Sequence, residues 1–186
     1  MEKRYKNIFW GYIILLINIL PEFIGFLLIS TAVEEIIREF DNEAFKKSLR
    51  LGYFMTLCTL IIFIAAITGV DYLLIKDNFA YEFILRRAFE FLLYIVSLVM
   101  SYNILSGTID LYLSKDRVYY AGIIEGSQKL FIILSIVGLI IEVVSINIVN
   151  DFYLGFAGIY NVIIMIYYVR IINKIKNSFN EDLIVI

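Results

Sequence analysis

The chain of 186 residues contains no histidine, one cysteine and one proline. Without imidazole there is no Ser–His or Cys–His nucleophile pair, no histidine zinc site and no histidine-ligated haem. The string Glu34-Glu35-Ile36-Ile37-Arg38 is superficially like the Glu-Glu…Arg motif of CAAX-protease-like membrane proteins. That chemistry needs histidines and a different spacing, so the likeness is rejected. No aspartate pair of the intramembrane aspartyl-protease kind is present, and no phosphate-binding loop. An enzyme is left only a chemistry of Glu or Asp with Tyr, and a non-enzymatic protein without metal or cofactor is expected. Cys58 cannot close an internal disulfide and reads as a packed thiol within the apolar run Leu57–Thr68. The net charge of −2 and pI near 5.2 leave no electrostatic footprint for nucleic acid.

Apolar side chains, in contrast, are in excess. They make up 61% of the sequence, with 16% aromatic and a mean hydropathy of +0.85. Soluble domains sit near 45–50% apolar, so the excess calls for a second apolar solvent, the lipid bilayer. Apolar runs at Ile8–Val33, Leu51–Ile75, Phe83–Leu105, Leu130–Val149 and Phe152–Ile172 reach the roughly 20 residues that a core of about 30 Å requires. The basic start, Met1-Glu2-Lys3-Arg4-Tyr5-Lys6, is like a signal peptide's. The apolar run behind it is too long and lacks a cleavage site, so the segment is expected to be retained.

Five runs imply five spans unless the first one doubles back. Basic residues near span ends favour the cytoplasmic side. If Ile8–Val33 enters and returns, all of the 16 basic residues except Lys76, Arg86 and Arg87 fall inside. If it crosses once, Lys3, Arg4 and Lys6 move outside as well. Charge therefore favours a hairpin, and Pro21 supplies the break, since it lacks an N–H and suits the first turn of a new helix. Asn18 is expected to cap, Glu22 to sit at the positive helix end, and Gly25 to permit close packing. The expected fold is all-α: a polytopic transmembrane bundle of six membrane helices arranged as three hairpins. The alternative is five spans with a Pro-kinked first helix. One transmembrane domain is expected over 1–173 and a short cytoplasmic tail over 174–186, with both termini cytoplasmic in a cell membrane.

Two further patterns bear on this arrangement. Ile17–Phe26 and Ile146–Phe156 are alike with one insertion, as two outer turns of a degenerate hairpin repeat would be. Ile109–Leu113 and Val118–Ile124 remain apolar about a turn at Ser114–Arg117. The helices on either side either project from the membrane, with Gly122 and Gly126 as a small-residue packing face, or meet in a simple interfacial loop.

Ile8-Phe9-Trp10-Gly11 and Ile19-Leu20-Pro21-Glu22-Phe23-Ile24-Gly25-Phe26 resemble the opening of small multi-pass membrane proteins of low-GC Gram-positive bacteria, over about the first 30 residues. The resemblance implies a membrane class and gives weight to the Pro-Glu turn. It implies no reaction, substrate or catalytic residue.

Charge inside lipid is costly, so Glu22, Asp71, Arg86, Arg87, Glu90 and Glu142 are the candidate site. In the six-span arrangement all lie in the outer half, with Asp71 level with Arg86 or Arg87, and with Arg86 and Glu90 four apart on one helical face. They form either an interhelical salt-bridge network or an outward-facing polar cavity. Four acids against two arginines favour a cationic or zwitterionic solute. Asn18, Asn103, Asn147, Tyr94, Tyr160 and Asn161 are candidate lining residues, and Trp10, Tyr12, Tyr167 and Tyr168 candidate interfacial anchors. The expected function is binding or transport of such a solute. The architecture is compatible with a substrate-capture subunit of an energy-coupling-factor transporter, although the alanine-rich first helix is missing. The alternative is a sensor, immunity or assembly subunit that meets a membrane protein partner through its cytoplasmic helix ends.

Overall fold

A computed structural model describes residues 1–68, 79–147 and 151–179. Asp71, Lys76 and the turn residues 77, 78 and 150 lie outside them. Among the described residues there are six helices and no strand: α1 Glu2–Ile17, α2 Glu22–Ile37, α3 Glu43–Thr68, α4 Phe79–Ser114, α5 Val118–Asn147 and α6 Asp151–Ser178.

The local sequence explains the breaks. α1 ends where Asn18 takes a left-handed conformation (φ 53°), its N–H donating to the Ile14 carbonyl at 3.1 Å. Asparagine tolerates that region better than most residues. The cap is therefore a C-cap on α1, not the N-cap expected for α2, whose cap position is filled by Pro21 (φ −53°). α3 has a side-chain cap: Asn42 Oδ1 accepts from the N–H groups of Ala44 (2.9 Å) and Phe45 (3.3 Å). Between α4 and α5, Asp116 (φ 56°) is the second left-handed residue, and the Arg117 N–H closes the turn on the Tyr112 carbonyl at 2.9 Å.

Each helix packs on its neighbours in sequence, and α1 packs on α6, which closes a ring. α1 and α2 are antiparallel rather than one kinked helix. A Cβ on Gly11 would lie 2.8 Å from the Gly25 carbonyl, and one on Gly25 would lie 2.9 Å from the Gly11 carbonyl. Only glycine lets the two backbones approach this closely. At the other end of the pair, Arg4 on α1 bonds Glu39, just beyond α2, and lies 3.7 Å from Glu35.

α3, α5 and the greater parts of α4 and α6 are long and apolar enough to cross a membrane. Their outer faces carry exposed aliphatic side chains such as Ile67, Ile133, Ile140 and Ile159, a surface suited to lipid rather than water. α1 and α2 have 16 residues each. At about 1.5 Å per residue they reach roughly 24 Å, short of the ~30 Å core.

The densest packing lies at the end of the ring that holds Tyr5, Tyr112 and the last turn of α6. Phe179 stacks between Tyr5 (5.4 Å between centroids) and Tyr112 (5.2 Å), and Tyr112 stacks on Tyr120. Ile175 and Phe179 are buried, and α6 continues to Ser178. Gly122 and Gly126 also depart from expectation. A Cβ on either would meet nothing within 4 Å, so they face outward and are not a packing face within the ring.

Candidate functional site

The expected charged residues divide into two groups. On α4, Arg86 Nε donates to Glu90 Oε1 (3.0 Å) and Arg87 to Glu90 Oε2 (3.2 Å). These pairs follow from the three- and four-residue spacing of one helix, and Arg86 and Glu90 are exposed. Glu22, at the start of α2, is within coulombic range of Glu90. Glu142 stands apart on α5, where its Oε1 accepts from Asn161 Nδ2 of α6 and its Oε2 is 3.5 Å from Ser145 Oγ. None of Glu22, Arg86, Arg87 or Glu90 lines the cavity described next, and Asp71 lies outside the described residues.

The cavity has a volume of about 360 Å³ and lies among α1, α4, α5 and α6. That is within the roughly 300–1,000 Å³ usual for small-molecule sites. Its polar groups come from Asn18, Tyr94, Ser97, Ser101 and Asn161, and its apolar wall is built largely of Leu15, Leu16, Leu98, Phe131, Ile164 and Met165. Tyr12 and Tyr168 form one end. Their rings are 4.6 Å apart, Tyr12 shares a 2.7 Å hydrogen bond with Ser101, and the Tyr168 hydroxyl donates to the Ser101 carbonyl at 3.1 Å.

Towards the opposite end the polar atoms are less well served. The Tyr94 hydroxyl and Asn161 Oδ1 are buried and have no hydrogen-bond partner. A buried group left unpaired costs about 1–3 kcal/mol, and both atoms are packed against protein rather than open to the cavity. The Tyr94 hydroxyl fits against α5 because residue 138 is glycine: a Cβ there would lie 2.8 Å from it. Gly138 is one helical turn before Glu142, which places Tyr94, Asn161 and Glu142 around the same stretch of α5. Among the described residues no group of three or more Cys, Asp or Glu side chains converges as a metal site would require.

Other expected residues have different roles. Asn103 and Asn147 donate to carbonyls of their own helices, Val99 and Val143. Tyr160 donates to the Leu134 carbonyl beside the cavity. Tyr12 and Tyr168, expected at the membrane interface, are each 2% exposed: they are core residues that satisfy their hydroxyls internally. Trp10 is half exposed. The sequence carried a signal for the lining that charge alone concealed. Tyr94, Ser97 and Ser101 are spaced i, i+3, i+7, and Asn161 and Tyr168 are i, i+7, so each set shares a helical face.

These features define an all-helical protein with the composition and long apolar helices of an integral membrane protein, and with a half-open, largely apolar cavity among four of its helices. No protein-family model, curated protein or solved structure matches the chain, so its function is argued from its own residues.

Proposed function

We propose that the protein is a six-span, non-enzymatic membrane protein that binds a small solute in the cavity between α1, α4, α5 and α6. The observation that carries this reading is a half-open cavity of about 360 Å³ that combines a largely apolar wall with the polar residues Asn18, Tyr94, Ser97, Ser101 and Asn161. Transport is the extension of the same reading, with solute entering from the end marked by Asn18. Ser97→Phe, which fills the cavity, tests it. Solutes that raise the melting temperature of the wild-type protein in detergent must lose that effect in the variant. Equal shifts in both would refute the site.

The membrane arrangement in this proposal has both termini at the cytoplasmic face of a cell membrane, with lipid around the ring. All described basic residues except Arg86 and Arg87 belong to the end of the ring that holds Tyr5 and Tyr112, which fits the positive-inside bias. The α1–α2 pair enters from that side, snorkelling of its Lys and Arg side chains makes up its shortfall against the hydrocarbon core, and its apolar tip, with Ile19 and Leu20 exposed, points to the opposite side. The likeness of its Pro-Glu turn to multi-pass proteins of low-GC Gram-positive bacteria points the same way. In a Cys58→Ser background, single cysteines at positions 2 and 22 distinguish the arrangements. An impermeant thiol reagent added to intact cells should label position 22 and spare position 2, and labelling of position 2 would defeat the hairpin.

One observation favours a second reading, an interaction subunit of a larger membrane complex. Val118 and Tyr119 are 67% and 75% exposed at the basic end of α5, next to the outward-facing Gly122 and Gly126. A photo-crosslinker at Tyr119 that traps one defined membrane protein would support it, and a charge at that position without effect on function would remove it.

A further inference from the structure

At the basic end of the ring, α1 meets its two neighbours differently. Towards α2, Arg4 is answered by Glu35 and Glu39. Arg38, Lys46 and Lys129 likewise have carboxylates on or beside their own helices. Towards α6 the cations have no such answer. Lys176 lays its Nζ over the Phe9 ring, 4.8 Å from the centroid, which places a cation of α6 against α1. Lys6 is exposed and stands three residues before Phe9, on the same helical face. On α6, Arg170 and Asn173 precede Lys176 at successive spacings of three, Arg170 exposed and Asn173 half-buried. Among the described residues, none of Lys6, Arg170 and Lys176 has a carboxylate partner, and the Asn173 amide has no hydrogen bond. The acids of the two helices are Glu2, without an ion pair there, and Asp151, at the far end of α6. Next to these cations the seam turns apolar. Trp10 is half exposed and meets Phe9 edge-on at 5.6 Å, and Val162 and Ile166 are exposed on α6.

We propose that the α1–α6 seam at this end binds an anionic phospholipid. Lys6 and Lys176, on either side of Phe9, hold the phosphate, and the Asn173 amide adds a neutral donor to it. Arg170 lies about 9 Å along the axis from Lys176, at the edge of the hydrocarbon, and its long side chain snorkels towards the same headgroup. The acyl chains lie along Trp10 and the aliphatic face of α6. Charge selects the class. Unpaired cations at the boundary of the hydrocarbon gain from a phosphate oxygen, which accepts charge-assisted hydrogen bonds, and basic sites between membrane helices suit anionic headgroups. A zwitterionic lipid also brings a quaternary ammonium, and the seam has no paired carboxylate to receive it. The inference rests on the membrane arrangement proposed above and is independent of the cavity.

Trp10 is the sole tryptophan and reports on the seam directly. The full-length protein is reconstituted in phosphatidylcholine vesicles with increasing fractions of phosphatidylglycerol or phosphatidylcholine brominated near the headgroup end of the chains. Quenching of Trp10 fluorescence is the readout. Brominated phosphatidylglycerol is expected to reach half-maximal quenching at a fraction at least threefold lower than brominated phosphatidylcholine. Lys6→Gln with Lys176→Gln should nearly abolish that preference. Lys47→Gln with Arg50→Gln removes the same charge from exposed positions on α3 and should keep it. Equal quenching by the two lipids in the wild-type protein overturns the proposal and leaves the membrane arrangement standing. Equal loss in the two double variants overturns it too, because the attraction is then a diffuse one. Relief of quenching by millimolar glycerol phosphate in the buffer would reassign the cations to a soluble phosphate. If neither lipid quenches Trp10, α1 does not face lipid and the membrane arrangement fails with the proposal. The wild-type comparison decides the question even if a variant does not fold.

Discussion

The two ends of the ring solve the same problem differently. At the end around Tyr5, Tyr112 and Phe179, large aromatic rings fill the space between helices, and their hydroxyls are bonded across the ring. Tyr5 shares a 2.7 Å hydrogen bond with Thr108, and Tyr112 bonds Ser178. Arg117 and Lys115 lie over the Phe179 ring at 5.5 and 5.8 Å, which covers the stack from the polar side. Around Tyr94 and Asn161, by contrast, a cavity takes the place of a side chain and two polar atoms lack partners. At the first end the tyrosine hydroxyls are satisfied, although the buried Ser48 Oγ has no partner; the second end carries the cavity.

The strongest break in that contrast is at the stack. Phe179→Ala removes the ring between Tyr5 and Tyr112 and should cost about 3 kcal/mol, since large-to-small changes lose both burial and packing. Thermal unfolding in detergent measures it, and a loss below about 1 kcal/mol would show that the last turn of α6 is not part of the core. Gly25→Leu is next. Its side chain meets the Gly11 carbonyl and Leu15, so α1 and α2 must separate, at a cost of about 2 kcal/mol by the usual scale of overpacking. Gly122→Leu, on the outward-facing pair, should change the melting temperature little.

Paired tyrosine substitutions sharpen the comparison at smaller cost. Tyr5→Phe deletes a satisfied hydroxyl and should cost about 1 kcal/mol. Tyr94→Phe deletes an unsatisfied one and should be neutral or slightly stabilising without ligand, so the two melting temperatures should move in opposite directions or differ clearly. Equal losses would mean that the Tyr94 hydroxyl already has a partner.

The smallest effect concerns the α2–α3 connection. The hydrogen bond from Arg4 holds the Glu39 carboxyl below its ordinary pKa. A depressed carboxyl contributes stability above its unfolded-state pKa, and the contribution is lost as the pH falls through the folded-state value. The melting temperature of Glu39→Gln should therefore lie slightly below wild type at neutral pH, and the gap should close on acidification. Glu39 is exposed, so screening keeps the effect small, and a gap that widens in acid would contradict the pairing.

Much of the architecture was legible before any coordinates. The apolar runs locate α3 to α6 because a helix must present about 20 apolar residues to lipid, and that demand is written in linear sequence. The chain reversal near Pro21 was legible as well, through the missing N–H and the excess of basic residues on one side. The site was less so. Charged residues stand out in a greasy sequence, but Arg86, Arg87 and Glu90 neutralise one another along a single helix, and among the described candidates only Glu142 bonds a residue that lines the cavity. Tyr12, Ser101 and Tyr168 come from three different helices and meet only because α1 closes against α6.

The sequence by itself determined the helices, their apolar length and the place where the first apolar run turns back. These follow from hydropathy, backbone chemistry and charge counted along the chain. Only the tertiary structure decided which polar residues share an interior space, because that depends on how far each helix extends and how it is rotated about its axis. Both are set by packing contacts such as Gly11 with Gly25 and Gly138 with Tyr94, between residues far apart in the chain.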